Sequence, residues 1–194
     1  WIGMFAVLSL PWPLEVDSLF MVKDLLCNAF TGRAEGQEVC VQDRRSAMAI
    51  IHNHVDQTRF NHEIVLPYEL RLADFSMAMQ DVYDFFYDVN TFLLRKGLQR
   101  LEDMLRPAIL SGILSDMLTA SLARHARSLV QNNYFNGHPD LIVQGVYPGN
   151  AVRAGSEGVE VKTTRKVGGA VDTHGARDQW LCVFVYAVDS QTEP

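Results

Sequence analysis

The sequence predicts an α+β protein, an α/β-type mixed sheet joined to a large N-terminal helical section, and two contrasts along the chain predict it. Up to about residue 132, apolar residues recur at three- and four-residue spacing, the period of a helix face. After NNYFNG (132–137) the pattern changes to short β-prone runs, PDLIVQGVY, GVEVKTT and QWLCVFVYAVD, set between glycine-containing loops. A chain of 194 residues, 48% hydrophobic and 21% charged, suits one domain with a sizeable core.

The elements follow in order. WIGMFAVLSLPWPLE (1–15) is too short to span a bilayer, lacks a basic flank and is interrupted by Pro11 and Pro13, so it reads as a buried N-terminal segment. Trp1 in place of an initiator Met suits a fragment of a longer chain. Helices are expected over 15–30 and 38–57, with TGRAEG (31–36) a loop between them. Pro67 opens a long helical region that Gly97 breaks, and further helices are expected over about 98–105 and 108–132. The three β-prone runs follow, with a helical turn near 170–178.

Charge is divided unevenly. The net charge is −6, but residues 1–94 carry 6 Lys/Arg against 13 Asp/Glu, and residues 95–177 carry 11 against 7. An acidic first half argues against unspecific coating of nucleic acid, and a basic second half permits one localised contact surface. Cys27, Cys40 and Cys182 are too few and too scattered for a disulfide framework or a zinc site, which makes a reducing cytosol the default compartment.

One constellation carries chemistry. Period-two alternation puts Glu160 and Lys162 on the same strand face, and pairing with the PDLIV strand brings Asp140 to that face. Two carboxylates and the Val161 carbonyl suit Mg²⁺, a hard cation that takes oxygen ligands and keeps several waters. Lys162 can then hold an attacking water or stabilise developing charge. Alternation alone does not make this unique, because many sheets place Glu and Lys two apart on a solvated face.

The combination of GHPDLIV (137–143) and GVEVKTTRK (158–166) resembles the PD-(D/E)xK phosphodiesterase superfamily, which includes most type II restriction endonucleases. The resemblance spans about fifty residues, 137 to 188, with THGARDQWLCVFVY similar to a helix-to-strand continuation in some members. It implies a restriction-endonuclease-like core over 108–194, a mainly helical section over 1–107 for DNA contact or dimerisation, and Mg²⁺-dependent hydrolysis of DNA, with Mn²⁺ as a substitute. Asp140, Glu160 and the Val161 carbonyl would hold the metal, and Lys162 would be the catalytic lysine. A homodimer on double-stranded DNA suits a palindromic target. Thr163, Thr164, Arg165 and Lys166 continue from the metal strand toward phosphates, and His138, His174, Arg177 and Gln179 are further DNA-contact candidates. The family's additional acid is sought among Glu102, Asp103 and Asp116. The alternatives are a repair or branched-DNA nuclease of the same superfamily, and a non-catalytic DNA-binding or interaction protein whose EVK is only a strand face.

Other features carry less. HNH at 52–54 lies inside an expected helix, where i,i+2 residues face apart, so His52, His54 and His62 make a poor metal site. Asp74, Asp81, Asp84 and Asp88 read as a solvated acidic face, and Trp180 as core.

Overall fold

The computed structural model describes residues 2–9 as backbone, and residues 52–166 and 179–188 in full. The expected helix over 15–30, the loop at 31–36, the helical turn near 170–178, His174 and Arg177 lie outside the described residues.

Helices and a mixed sheet make this an α+β protein. Among the described residues, three α-helices, α1 (Leu72–Arg95), α2 (Leu101–Met104) and α3 (Pro107–His125), accompany strands β1 (Ile2–Ser9), β2 (Leu129–Gln131), β3 (Leu141–Val143), β4 (Gly158–Thr164) and β5 (Trp180–Val188). The sheet runs β1-β5-β4-β3-β2. All its neighbours are antiparallel except β4 and β5, which run parallel with Glu160 beside Leu181 and Lys162 beside Val183. Among the described residues, no helix is long and apolar enough to cross a membrane.

The helices cover one sheet face because their apolar spacing gives each a single buried stripe. On α1 that stripe is Phe75, Ala78, Met79, Val82 and Phe86, and on α3 it is Leu110, Leu114, Leu118 and Leu122. Both meet the odd-numbered β4 residues Val159 and Val161 and the β5 residues Cys182, Phe184 and Tyr186 in one core. The Phe75 and Phe184 rings lie 6.4 Å apart, and the Tyr186 hydroxyl reaches the Pro107 carbonyl at 3.4 Å. Burial pushes the Cys182 thiol far up, leaving it an inert core residue. Trp180 is half-buried and packs against this core, as expected.

Four local expectations are corrected. Residues 2–9 of the N-terminal apolar stretch form a strand paired along its length with β5, so the first section is not helical throughout. Residues 52–56 are not helical and Gln57 only opens a 3-10 turn, because Gln80 on α1 ties this segment down from the side: its Oε1 accepts from Val55 N–H at 3.0 Å and its Nε2 donates to the Asn53 carbonyl at 3.1 Å. The helix expected to run to 132 stops at His125, and Leu129–Gln131 pairs with β3 instead. Asp74 and Asp81 are not on a solvated face. Asp74 is buried and accepts from the Arg71 main chain at 2.8 Å, while Asp81 bridges α1 to α3 through Ser121, Arg124 and His125.

The close approach of β3 to β4 depends on Gly158. A Cβ there would collide with the Leu141 carbonyl oxygen and with Pro139. Gly158→Ala therefore forces the two strands apart, with an expected loss of about 1–3 kcal/mol. A urea midpoint equal to that of the unaltered protein would show that the contact yields freely.

Candidate active site

The β3–β4 ladder has only two residue pairs, Leu141 with Val159 and Ile142 with Gly158. Extending that register by one pair places Asp140 opposite Glu160, on the sheet face away from α1 and α3. The Asp140 side chain takes over where the ladder stops: Oδ2 accepts the Val161 N–H at 2.9 Å. A strand residue's N–H and C=O point to the same side, so the Val161 carbonyl lies along this same edge. Ser115 on α3 reaches that carbonyl at a long 3.5 Å.

Glu160 is 1% exposed, and the Lys162 ammonium stands 2.6 Å from its Oε1. The lysine sits close as a charge but out of line as a donor. Glu160 Oε1 and Gln179 Oε1 are accordingly the two buried side-chain oxygens, among the described residues, that accept no hydrogen bond. His138 Nδ1 approaches the Glu160 carboxylate at 3.4 Å. Burial pushes the Asp140 carboxyl up first, and the neighbouring Glu160 charge pushes it further, against the pull of the Val161 N–H, Lys162 and His138. Two carboxylates against one lysine leave a deficit of positive charge.

The structure thus brings Asp140, Glu160, Val161, Lys162 and His138 together and separates several of the other candidates. Thr163 turns to the helix side, where its hydroxyl pairs with Ser111 Oγ at 2.7 Å and donates to the Ser111 carbonyl at 2.8 Å. Thr164 is half-buried and accepts from Lys166 N–H at 3.3 Å, whereas Arg165 and Lys166 are exposed. Gln179 is buried just before β5. Of the acids sought nearby, Glu102 is buried against Asn90 Nδ2 at 2.8 Å, Asp103 pairs with Arg100 at 2.7 Å, and Asp116 is exposed. His52 pairs with Asp84 at 2.7 Å and stacks on Tyr87, away from any ligand set.

Sequence reasoning missed Ser111, Ser115 and Asn132. The two serines sit one turn apart on an apolar helix, a spacing that signals a shared face but not its partner. Asn132 donates to the Pro139 carbonyl at 3.0 Å, and its own N–H donates to the Asp140 carbonyl at 2.9 Å, fixing the approach to Asp140.

Among the described residues, no group of three or more His, Cys, Asp or Glu is spaced to hold a metal ion. The donor set on this edge is different: two carboxylates and one main-chain carbonyl. It fits a hard divalent cation that keeps several waters, and Glu160 Oε1 is a buried oxygen lacking a directed donor. In comparisons with known proteins, no family model, no curated protein and no solved structure matches the chain.

Crowding of charge has a measurable consequence. With its folded-state pKa raised above the ordinary 3.8, Asp140 costs nothing below that value and erodes stability as pH rises through the folded-state pKa. Asp140→Asn keeps an oxygen for the Val161 N–H and removes the repulsion. Near neutral pH in EDTA its melting temperature is expected to rise by roughly 2–4 °C, with the gain vanishing in acid. Identical melting curves at both pH values would count against a buried like-charge pair.

Proposed function

We propose that the protein is a Mg²⁺-dependent DNA endonuclease of the PD-(D/E)xK type, a type II restriction enzyme cutting duplex DNA at a specific sequence. The observation that supports this best is Asp140 lying across the strand pair from a buried Glu160 whose carboxylate is touched by Lys162 at 2.6 Å. Two acids from adjacent strands and a lysine two residues along the second meet the chemical needs of phosphodiester hydrolysis.

When bound, Mg²⁺ supplies positive charge at the scissile phosphate and acidifies the attacking water. Asp140, Glu160 and the Val161 carbonyl would hold it. Lys162 Nζ, already drawn into the site by Glu160, donates to the attacking water and offsets the charge that grows on the phosphate oxygens. Water attacks phosphorus and gives up a proton to bulk solvent, the P–O3′ bond breaks, and O3′ takes a proton from solvent, so the products carry 5′-phosphate and 3′-hydroxyl ends. Arg165 and Lys166, exposed beyond β4, hold the DNA backbone. The natural setting is the cytoplasm, as a homodimer whose two-fold axis matches a palindromic target.

The absence, among the described residues, of a three-ligand side-chain cluster favours one rival: a non-catalytic DNA-binding protein whose EVK is a strand face. Calorimetry with Mg²⁺ or Mn²⁺ separates the two, since only the nuclease has a site that Asp140→Asn removes.

Digestion of a complex DNA with Mg²⁺, followed by sequencing of the ends, is expected to give sequence-defined fragments. Glu160→Ala and Lys162→Ala should each lower cleavage by about 10²–10³-fold or more, while DNA binding survives. Full Mg²⁺-dependent cleavage by either variant sinks the assignment, and a panel of nicked, branched and single-stranded substrates shows whether a repair-type substrate is preferred.

A further inference from the structure

The chain that delivers Asp140 to β4 first makes a tight turn, NNYFNG (132–137), and that turn holds an aromatic pair out in solvent. Phe135 is 87% exposed and Tyr134 46%. Leaving a phenylalanine uncovered forgoes the gain of burying it, so a turn with freedom to fold back would do so.

This turn has no such freedom. Asn132 uses its whole amide: Nδ2 donates to the Pro139 carbonyl at 3.0 Å and the Val152 carbonyl at 2.7 Å, and Oδ1 accepts from Tyr134 N–H and Val152 N–H, both at 3.0 Å. Asn133 is tied across to the next loop, its N–H to the Asn150 carbonyl at 2.8 Å and its Nδ2 to the Gly149 carbonyl at 3.0 Å. Gly137 N–H closes the turn on the Tyr134 carbonyl at 2.9 Å, and a Cβ at Gly137 would collide with the Val152 carbonyl oxygen and the Asn132 amide. The backbone is pinned on both sides, with the aromatics outward.

Position supplies the ligand class. Asp140 lies five positions after Phe135, at most roughly 17 Å of chain, which is a span of a few nucleotides at about 3.4 Å per step. An uncovered ring on a pinned backbone, within that length of chain of the proposed phosphodiester-cleaving edge, matches the flat face of a nucleobase, which every base offers regardless of sequence. We propose that Phe135, with Tyr134 beside it, stacks on an unpaired base of the DNA a few nucleotides from the scissile phosphate. The inference rests on the nuclease reading. It adds that the substrate is opened or distorted next to the cut, with the turn holding the displaced base.

The test uses the full chain and duplexes carrying a short central bubble with one 2-aminopurine, in Ca²⁺ to hold the DNA uncut. Phe135→Ala is expected to weaken bubble binding by about tenfold and to abolish the change in 2-aminopurine fluorescence, with an unchanged thermal melt because the side chain is exposed. Phe135→Trp should restore both signals and Phe135→Leu neither, since stacking needs a ring. If Phe135→Ala binds the bubble as tightly as the unaltered chain while Mg²⁺-dependent cleavage persists, the inference fails and the nuclease reading stands. Restoration by Leu, or loss of self-association in sedimentation with DNA binding intact, assigns the aromatic pair to a protein contact and also overturns it. If the unaltered chain neither binds nor cleaves any DNA form, both fall.

Discussion

The close approach of β3 to β4 at Gly158 is the constraint on which the rest of the candidate site depends. Without a side chain at Gly158, the Leu141 carbonyl and Pro139 come in against β4, and the short ladder registers Leu141 with Val159. That register alone sets Asp140 across from Glu160. Because the ladder ends there, the Val161 N–H has no main-chain partner from β3 and the Asp140 carboxylate takes it. A longer ladder would satisfy Val161 through the backbone and leave Asp140 with no reason to lie on that edge. The shortness of the pairing therefore makes a chemical edge out of a structural one.

Electrostatics make this edge costly to the fold. A buried carboxylate loses several kcal/mol of hydration, and here two share one face. Lys162 offsets one charge, and Asp140 answers the rest by holding its proton more tightly than usual. Elsewhere the molecule treats acids differently. Asp81 is only partly buried, and although that burial pushes its carboxyl up, Ser121, His125 and Arg124 donate to it and hold it below the ordinary range. The contrast is informative: where α1 meets α3 the acid is satisfied and ties helices together, whereas on β4 the acid keeps an oxygen without a directed donor. Carboxylates crowded on one strand face, beside an acid fully hydrogen-bonded elsewhere, are the perturbation on which the proposed site rests.

Much of this was legible in the sequence, for a physical reason. A strand has a period of two whatever surrounds it, so Glu160 and Lys162 could be placed on one face, and Asp140 joins them as soon as its strand pairs antiparallel with theirs. The long helix from Leu72 to Arg95 was legible too, because its stripe repeats through many turns. The failures share a different cause. Ile2–Ser9 is a continuous apolar run, which periodicity cannot tell from a buried segment of another kind. Leu129–Gln131 is too short to show any period. His52 to Asp56 lost a helix to Gln80, and Asp81 found partners forty or more residues away, contacts that no local window contains. Thr163 was read with the phosphate-facing TTRK, although alternation itself sends it to the helix side with Val159 and Val161.

That last case shows how the two sheet faces divide the protein's tasks. Odd positions of β4 meet α1 and α3 through Val159, Val161 and the Thr163–Ser111 pair, and this packing locks the strand in place. Even positions carry Glu160 and Lys162 on the opposite face. A strand clamped by a core on one side can hold charged groups rigidly on the other, which a solvent-exposed loop cannot. The same logic extends past the strand to the turn before Asp140, where Asn132 replaces the core as the clamp and hydrogen bonds do what packing does under β4. Precise placement of Asp140 thus comes from two supports of different chemistry, apolar on the β4 side and polar on the loop side.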